Sequence, residues 1–141
     1  MNTAFSQDAL IHHVCIQTPD YAASLDFYTR LLGFEIVKES AGFHGRAWNA
    51  WLRQSGFMLE LQTAKAGEQL VEWNPRASGP VHIGFLVSDV QASYRWFKQQ
   101  GHAAFKCKNG QELYAVEGEY LFKAIAPEGT EIEIRDTEIM D

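Results

Sequence analysis

The stretch His13-Val14-Cys15-Ile16-Gln17-Thr18-Pro19-Asp20 returns, altered, as His82-Ile83-Gly84-Phe85-Leu86-Val87-Ser88-Asp89. His13 aligns with His82, Asp20 with Asp89, Ala23 with Ala92 and Ser24 with Ser93, all at one spacing. Similar residues fall in the same frame: Val14 with Ile83, Phe27 with Trp96 and Tyr28 with Phe97. Further on, Leu59-Glu60-Leu61 matches Ile132-Glu133-Ile134 at a spacing four residues longer, as a difference in loop length would produce. One such match is chance. Several in the same order, each on the same kind of element, indicate an internal duplication.

Each copy reads as a strand, a helix and further strands. Residues 10–17 alternate over a β-rich run, the sign of a strand. Asp20, in the turn after Thr18-Pro19, can cap a helix by accepting an orphan N–H. Apolar residues at 21, 25, 28 and 32 make one helical stripe, and Gly33 ends it. Residues 34–38, 47–53 and 57–62 read as strands. In the second copy, 81–87 is a strand, Asp89 a cap, 90–100 a helix and Gly101 its stop. Strands at 103–106, 120–126 and 130–135 follow. The pattern predicts an α+β domain of two βαβββ modules, about 10–64 and 81–136. A Gly-, Pro- and charge-rich linker, about 65–80, joins them. Neither half is large enough for a core of its own.

Strand side chains alternate between faces. With Val14, Ile16, Leu59 and Leu61 packed on the helix, His13, Cys15, Gln17 and Glu60 take the opposite face. In the second copy Ile83, Phe85, Val87, Ile132 and Ile134 go inward, leaving His82, Gly84, Glu131, Glu133 and Arg135. Taken singly, a His or Glu on a strand face is an ordinary solvated residue. His then Glu at matching places in both copies points further. If the face curves, His13, Glu60, His82 and Glu133 converge, and Gly84 leaves room beside His82. Two imidazoles and two carboxylates suit a divalent ion, imidazole favouring Zn, Ni, Co or Fe, and the set by itself fixes neither the metal nor the reaction.

Other residues carry less. His12 alternates away from His13, His44 sits in a Gly-flanked surface loop, and His102 follows a helix stop, an exposed place. Trp48 and Trp51 fall on opposite strand faces, so at most one can line a cavity. Cys15 reads as a small packed side chain, and there is no nucleophile elbow, phosphate-binding glycine loop or paired CxxC.

The 141 residues are 46% hydrophobic and 21% charged, which excludes disorder, and the net charge of −6 without a basic stripe disfavours nucleic acid and membrane surfaces. No apolar run is long enough to span a bilayer. The first ten residues do not read as a secretory signal, and two cysteines make no disulfide framework. The expectation is a cytoplasmic protein with a small-molecule substrate.

At these residues the chain resembles the vicinal oxygen chelate superfamily, which contains glyoxalase I, extradiol dioxygenases and fosfomycin and bleomycin resistance proteins. The resemblance runs from about residue 10 to 136. It is carried by His13-Val14, Phe27-Tyr28 and Leu32-Gly33-Phe34; by His82-Ile83-Gly84-Phe85; and by Ala126-Pro127-Glu128-Gly129-Thr130 before Glu131-Ile132-Glu133. It implies a curved, cup-shaped mixed sheet with helices outside, and metal ligands at His13, Glu60, His82 and Glu133. It implies a glyoxalase-like lyase or isomerase that moves a proton on a small carbonyl substrate through a metal-stabilised enediolate, with Glu133 as base and Glu60 as partner. Modules of this family pair within a chain or across a dimer. A homodimer is expected, each site drawing His13 and Glu60 from one chain and His82 and Glu133 from the other. Gln17 and Ala64 stand where glyoxalase I carries the Arg and Asn that hold glutathione, which points away from that substrate. The cations available near the site are Arg135, Arg46 and Lys123. Two alternatives remain. An Fe(II) extradiol dioxygenase would use His13, His82 and Glu133, with Glu60 crowding its open positions. A non-catalytic antibiotic-binding protein of this family generally lacks the ligands.

Overall fold

The computed structural model describes residues 5–137. The parallel pairing of β1 (His13–Gln17) with β4 (Phe57–Gln62) organises the first module. Parallel neighbours need a long crossover. It is supplied here by α1 (Tyr21–Asp26), a π-helical turn (Phe27–Leu31), β2 (Glu35–Phe43) and β3 (Arg46–Gln54), giving a sheet of order β1-β4-β3-β2. The second module repeats the plan. Its β5 (His82–Leu86) lies parallel to β9 (Glu131–Arg135), α2 (Val90–Gln99) crosses over, and β6 (Phe105–Lys106), β7 (Leu113–Val116) and β8 (Glu119–Ile125) complete a second sheet. The two open sheets, with four and five strands, form the α+β architecture the repeat predicted.

Local chemistry sets these limits. Asp20 and Asp89 cap the two helices, accepting from the Ala23 and Ala92 N–H groups at 3.1 and 3.0 Å. Gly33 follows at φ +78°, a left-handed position that suits glycine. The two-residue turn Ser55-Gly56, with both residues at positive φ, closes the β3–β4 hairpin tightly. That turn sets the register in which Glu60 lies between Cys15 and Trp51.

Several elements differ from the sequence expectation. The first strand starts only at His13; Leu10 and Ile11 precede it and are exposed. Val14 is 37% exposed, not packed on the helix, whereas Ile16 is buried. An edge strand needs to cover the core only where a helix sits over it. The first helix loosens into a π turn after Asp26, where the backbone amide of Leu32 reaches Phe27 O at 3.3 Å. Strand β7 was not anticipated: the second module splits its outer strand into β6 and β7, both paired with β8. Glu131 faces away from the helix yet is 3% exposed, covered by Lys106 and Lys123 at 3.4 and 3.9 Å.

The two modules share one core. Phe27, Tyr28, Leu31, Phe34, Leu59 and Leu61 of the first join Val90, Phe97, Phe122, Ile132 and Ile134 of the second. A buried polar link crosses between them. Glu128, in the β8–β9 turn, accepts from Ser24 Oγ and Tyr28 Oη, both at 2.6 Å, and Ser24 Oγ lies 2.7 Å from Thr18 Oγ1. Thr18, Ser24 and Tyr28 are fully buried, so their hydroxyls have no water to fall back on. Burial, then the Glu128 charge, push the Tyr28 phenol far above its ordinary pKa, and it stays a donor. In the linker, Trp73 packs on Gly129, where an added Cβ would lie 2.6 Å from Trp73 Cβ.

Glu128→Ala should therefore lower unfolding free energy by roughly 2–4 kcal/mol, because two buried hydroxyls lose their acceptor. Glu128→Gln, which keeps one acceptor, should cost roughly half as much. Urea denaturation checks this. Equal midpoints for wild type and Glu128→Ala would show that the link contributes nothing to docking the modules.

Candidate metal centre

Each parallel strand pair presents one imidazole to one carboxylate. In the first module the rows across the open face are His13, Met58 and Arg53; then Cys15, Glu60 and Trp51; then Gln17, Gln62 and Asn49. His13 Nε2 lies 3.7 Å from Glu60 Oε1. In the second module the corresponding rows are His82, Glu131 and Ile125; then Gly84, Glu133 and Lys123; then Leu86, Arg135 and Leu121. His82 Nε2 lies 3.8 Å from Glu133 Oε2. The imidazoles are about one-third exposed and the carboxylates mostly buried, so both pairs open to solvent from one side.

These separations are close to those of two neighbouring ligands on one ion, each roughly 2.0–2.2 Å from it. The donor set fits a divalent cation, and each module supplies half of it. Among the described residues of one chain, no group of three or more His, Cys, Asp or Glu side chains gathers. The structure brings His13 to Glu60 and His82 to Glu133, and leaves the two pairs apart within the chain.

The two half-sites differ in their surroundings. His12 Nδ1 lies 2.8 Å from His13 Nδ1, and the Trp51 ring stands edge-on to His13 at 4.7 Å. If Nε2 of His13 is to bind a metal, its Nδ1 carries the proton and donates to His12. The alternation that set His12 aside does not hold, because His12 precedes the strand. Cys15 sits beside Glu60; burial, then the Glu60 charge and its hydrogen bond, push the thiol up to about 11, so it is neutral at pH 7. Glu133 has cationic neighbours instead: Lys123 Nζ at 4.0 Å and Arg135 Nε at 3.5 Å. Its carboxylate also lies over Gly84, whose missing side chain leaves ordinary contact distance to Glu133 Oε2.

The remaining candidates lie elsewhere. Trp48 stacks on Tyr21, on the opposite face from Trp51. His44 occupies the β2–β3 turn. His102 is not the exposed residue expected. It packs against Phe27, Phe97 and Phe105, donates from Nε2 to Ala104 O at 2.8 Å, and burial lowers its pKa. A cavity of about 810 Å³ lies between β1 and β5. It is lined by Cys15, Gln17 and His82 but touches neither Glu60 nor Glu133. Among the described residues, no helix is long and apolar enough to cross a membrane.

Known proteins share this architecture. The uncharacterized protein YaeR of Escherichia coli (strain K12) is 31% identical over 84 residues, 59% of this chain and 64% of the relative. The chain thus matches less than two-thirds of that relative's length. The glyoxalase family protein of Enterococcus faecalis superposes with a TM-score of 0.74 at 23% identity, covering 92% of this chain and 98% of the other. Lactoylglutathione lyase of Agrobacterium tumefaciens superposes with a TM-score of 0.65 at 19% identity, covering 93% and 96%. These two structures share the fold with this chain. The sequence profile of one family spans residues 10–134, both modules and both His–Glu pairs. The chain belongs to the Glyoxalase/Bleomycin resistance protein/Dioxygenase superfamily.

Proposed function

We propose that the protein is a divalent-metal-dependent lyase or isomerase of glyoxalase type, acting on a small carbonyl compound. The observation that carries this reading is the repeated His–Glu pair, at 3.7 Å in one module and 3.8 Å in the other. His13, Glu60, His82 and Glu133 would hold the ion. Zn, Ni or Co suit two imidazoles with two carboxylates best, and Mn or Fe are also compatible. A divalent ion there supplies positive charge that polarises a carbonyl oxygen and lowers the cost of negative charge developing on it.

The chain's own residues do the rest. Glu133 takes a proton from the carbon beside the carbonyl and returns it to the neighbouring carbon, and Glu60 faces it as partner. Lys123 Nζ, 4.0 Å from one Glu133 oxygen, and Arg135 Nε, 3.5 Å from the other, place positive charge beside the carboxylate. Trp51 packs edge-on against the His13 ring at 4.7 Å. Full occupation of four ligand positions by His and Glu counts against a dioxygenase, which needs open positions.

The complete site forms in a homodimer, the first module of one chain facing the second of its partner. Three observations support this. One chain leaves its two pairs apart, and both His strands, β1 and β5, are sheet edges. Large apolar residues near them, including Leu86, Val81 and Val14, are exposed.

Metal uptake by mixed variants tests site and assembly together. His13→Ala and His82→Ala homodimers should each lose tight Co(II) binding. Refolded together, they form heterodimers with one intact site, and about a quarter of the wild-type capacity returns. No recovery means the sites lie within single chains. Wild-type protein that takes up no Zn, Ni, Co, Mn or Fe removes the metal reading altogether.

Glu133→Gln should reduce solvent-deuterium incorporation into a turned-over carbonyl substrate by roughly 10²–10⁴-fold, the usual contribution of a general base. Proton NMR in D₂O reads it. Unchanged incorporation transfers the role of base to another residue.

A further inference from the structure

We infer that Arg46 is an anion-binding residue of the cup, and that the substrate carries a carboxylate several bonds from its reacting carbonyl. The inference rests on the metal-centre reading above and narrows its substrate class.

Arg46 Nη1 donates to the Gln17 side-chain oxygen at 2.9 Å and to the Thr63 carbonyl at 2.7 Å. With the Gln62 amide oxygen turned toward it, that oxygen accepts from Nη1 and Nη2 at 3.1 and 3.3 Å, and the Gln62 nitrogen donates to Asn49 Oδ1 at 2.9 Å. Every one of these partners is neutral. Arg30 pairs with Asp26, and Arg135 with Glu119 and Glu133; of the arginines that form no ion pair among the described residues, Arg53, Arg76 and Arg95 are exposed and Arg46 is half-buried. Its anchors are well fixed, since Asn49 is 1% and Gln62 9% exposed. A guanidinium is always charged, and its donor fork matches a carboxylate. Held half-buried by neutral oxygens alone, it keeps Nε–H and part of Nη2 for an anion that the chain itself does not provide.

Its location decides which anion. Gln17 shares a face of β1 with His13, and Gln62 follows Glu60 by two residues on β4. Two residues of strand span about 7 Å, and the four between His13 and Gln17 about 13 Å. A ligand whose carbonyl sits at the His13–Glu60 pair therefore reaches Arg46 with a group three to six bonds further on. Charge supports the same choice. The open faces carry charges of both signs, Arg46, Lys106, Lys123 and Arg135 beside Glu60, Glu119, Glu131 and Glu133. A divalent ion adds two positive charges there, which an anionic group on the ligand helps to balance.

Hydroxamates of graded length are the probes. Acetohydroxamate chelates through two oxygens and has no carboxylate; ω-carboxy hydroxamates with two, three or four methylenes add one, and their ω-carboxamides are neutral matches. Binding to Co(II)-loaded protein is followed by titration calorimetry and visible absorption. The best carboxylate probe should bind wild type at least about tenfold tighter than its carboxamide, a preference that falls with salt. Arg46→Gln should erase the preference and leave acetohydroxamate affinity unchanged; Arg46→Lys should keep part of it. Should Arg46→Gln fail to fold, the acid–amide comparison on wild type and Arg46→Lys still decides. Equal binding of acid and amide to wild type overturns the subsite, as does a preference that survives Arg46→Gln. Loss of the dimer in Arg46→Gln on gel filtration overturns it too, assigning the guanidinium to a subunit contact. Co(II)-loaded wild type that binds acetohydroxamate without such a preference spares the metal centre. A protein that binds neither Co(II) nor any hydroxamate takes both readings down.

Discussion

The parallel register of β1 with β4, and of β5 with β9, is the constraint on which the site depends. It sets Cys15 opposite Glu60 and Gly84 opposite Glu133, so that each histidine, two residues earlier on the same face, leans toward its glutamate. A one-residue slip would turn either glutamate toward the helix and into the core. Register is strongly held because Leu59, Leu61, Ile132 and Ile134 are almost fully buried on the other face. The cost of exposing four such side chains, about 1.5–3 kcal/mol each, exceeds anything the polar face could gain from slipping. Packing of the core thus places the polar chemistry, although these four side chains carry no polar group themselves.

Much of this was legible in the chain because two periodicities agree. Period-two alternation assigns faces within a strand, and the repeat assigns matching faces between modules. The strand at residues 57–62 was read to its limits, because Ser55-Gly56 and the end of the apolar alternation bracket it. What was missed lies where alternation has no authority. His12 stands just outside β1, so its ring is free to turn onto His13. Strand β7 begins after the Asn109-Gly110 turn, where the repeat no longer aligns. His102 follows a helix stop yet is drawn into an aromatic cluster by Phe27, a residue of the other module. Such placements depend on how the modules dock, and docking leaves no periodic mark in a sequence.

Docking itself is asymmetric. Glu128 of the second module reaches the first helix, accepting from Ser24 and Tyr28. The corresponding turn of the first module sends Gln54 to the Leu32 carbonyl of its own module. The Glu128 latch runs from the second module to the first, beside Trp96 Nε1 donating to Leu31 O at 3.0 Å and Arg30 Nη1 donating to Gln100 Oε1 at 3.1 Å. The latch fixes the relative position of β1 and β5 in one chain and so fixes what a second chain would have to match.

The half-sites have diverged in the same manner while keeping their two donors. Trp51 and Lys123 occupy equivalent places beside Glu60 and Glu133, and Gln62 and Arg135 occupy the next row. One glutamate faces an aromatic ring and a neutral thiol, and the other has two cations beside it. Two carboxylates in unlike surroundings do not share a proton-transfer role equally. The duplicated fold supplies matching His–Glu pairs, and on the proposed reading their unlike neighbours are where one carboxylate would become a base and the other a support. The charge pattern continues outward to Arg46, held by neutral oxygens on the side that lacks Lys123 and Arg135. On the proposed reading, symmetry would account for binding an ion, and its breaking for giving the ligand a head and a tail.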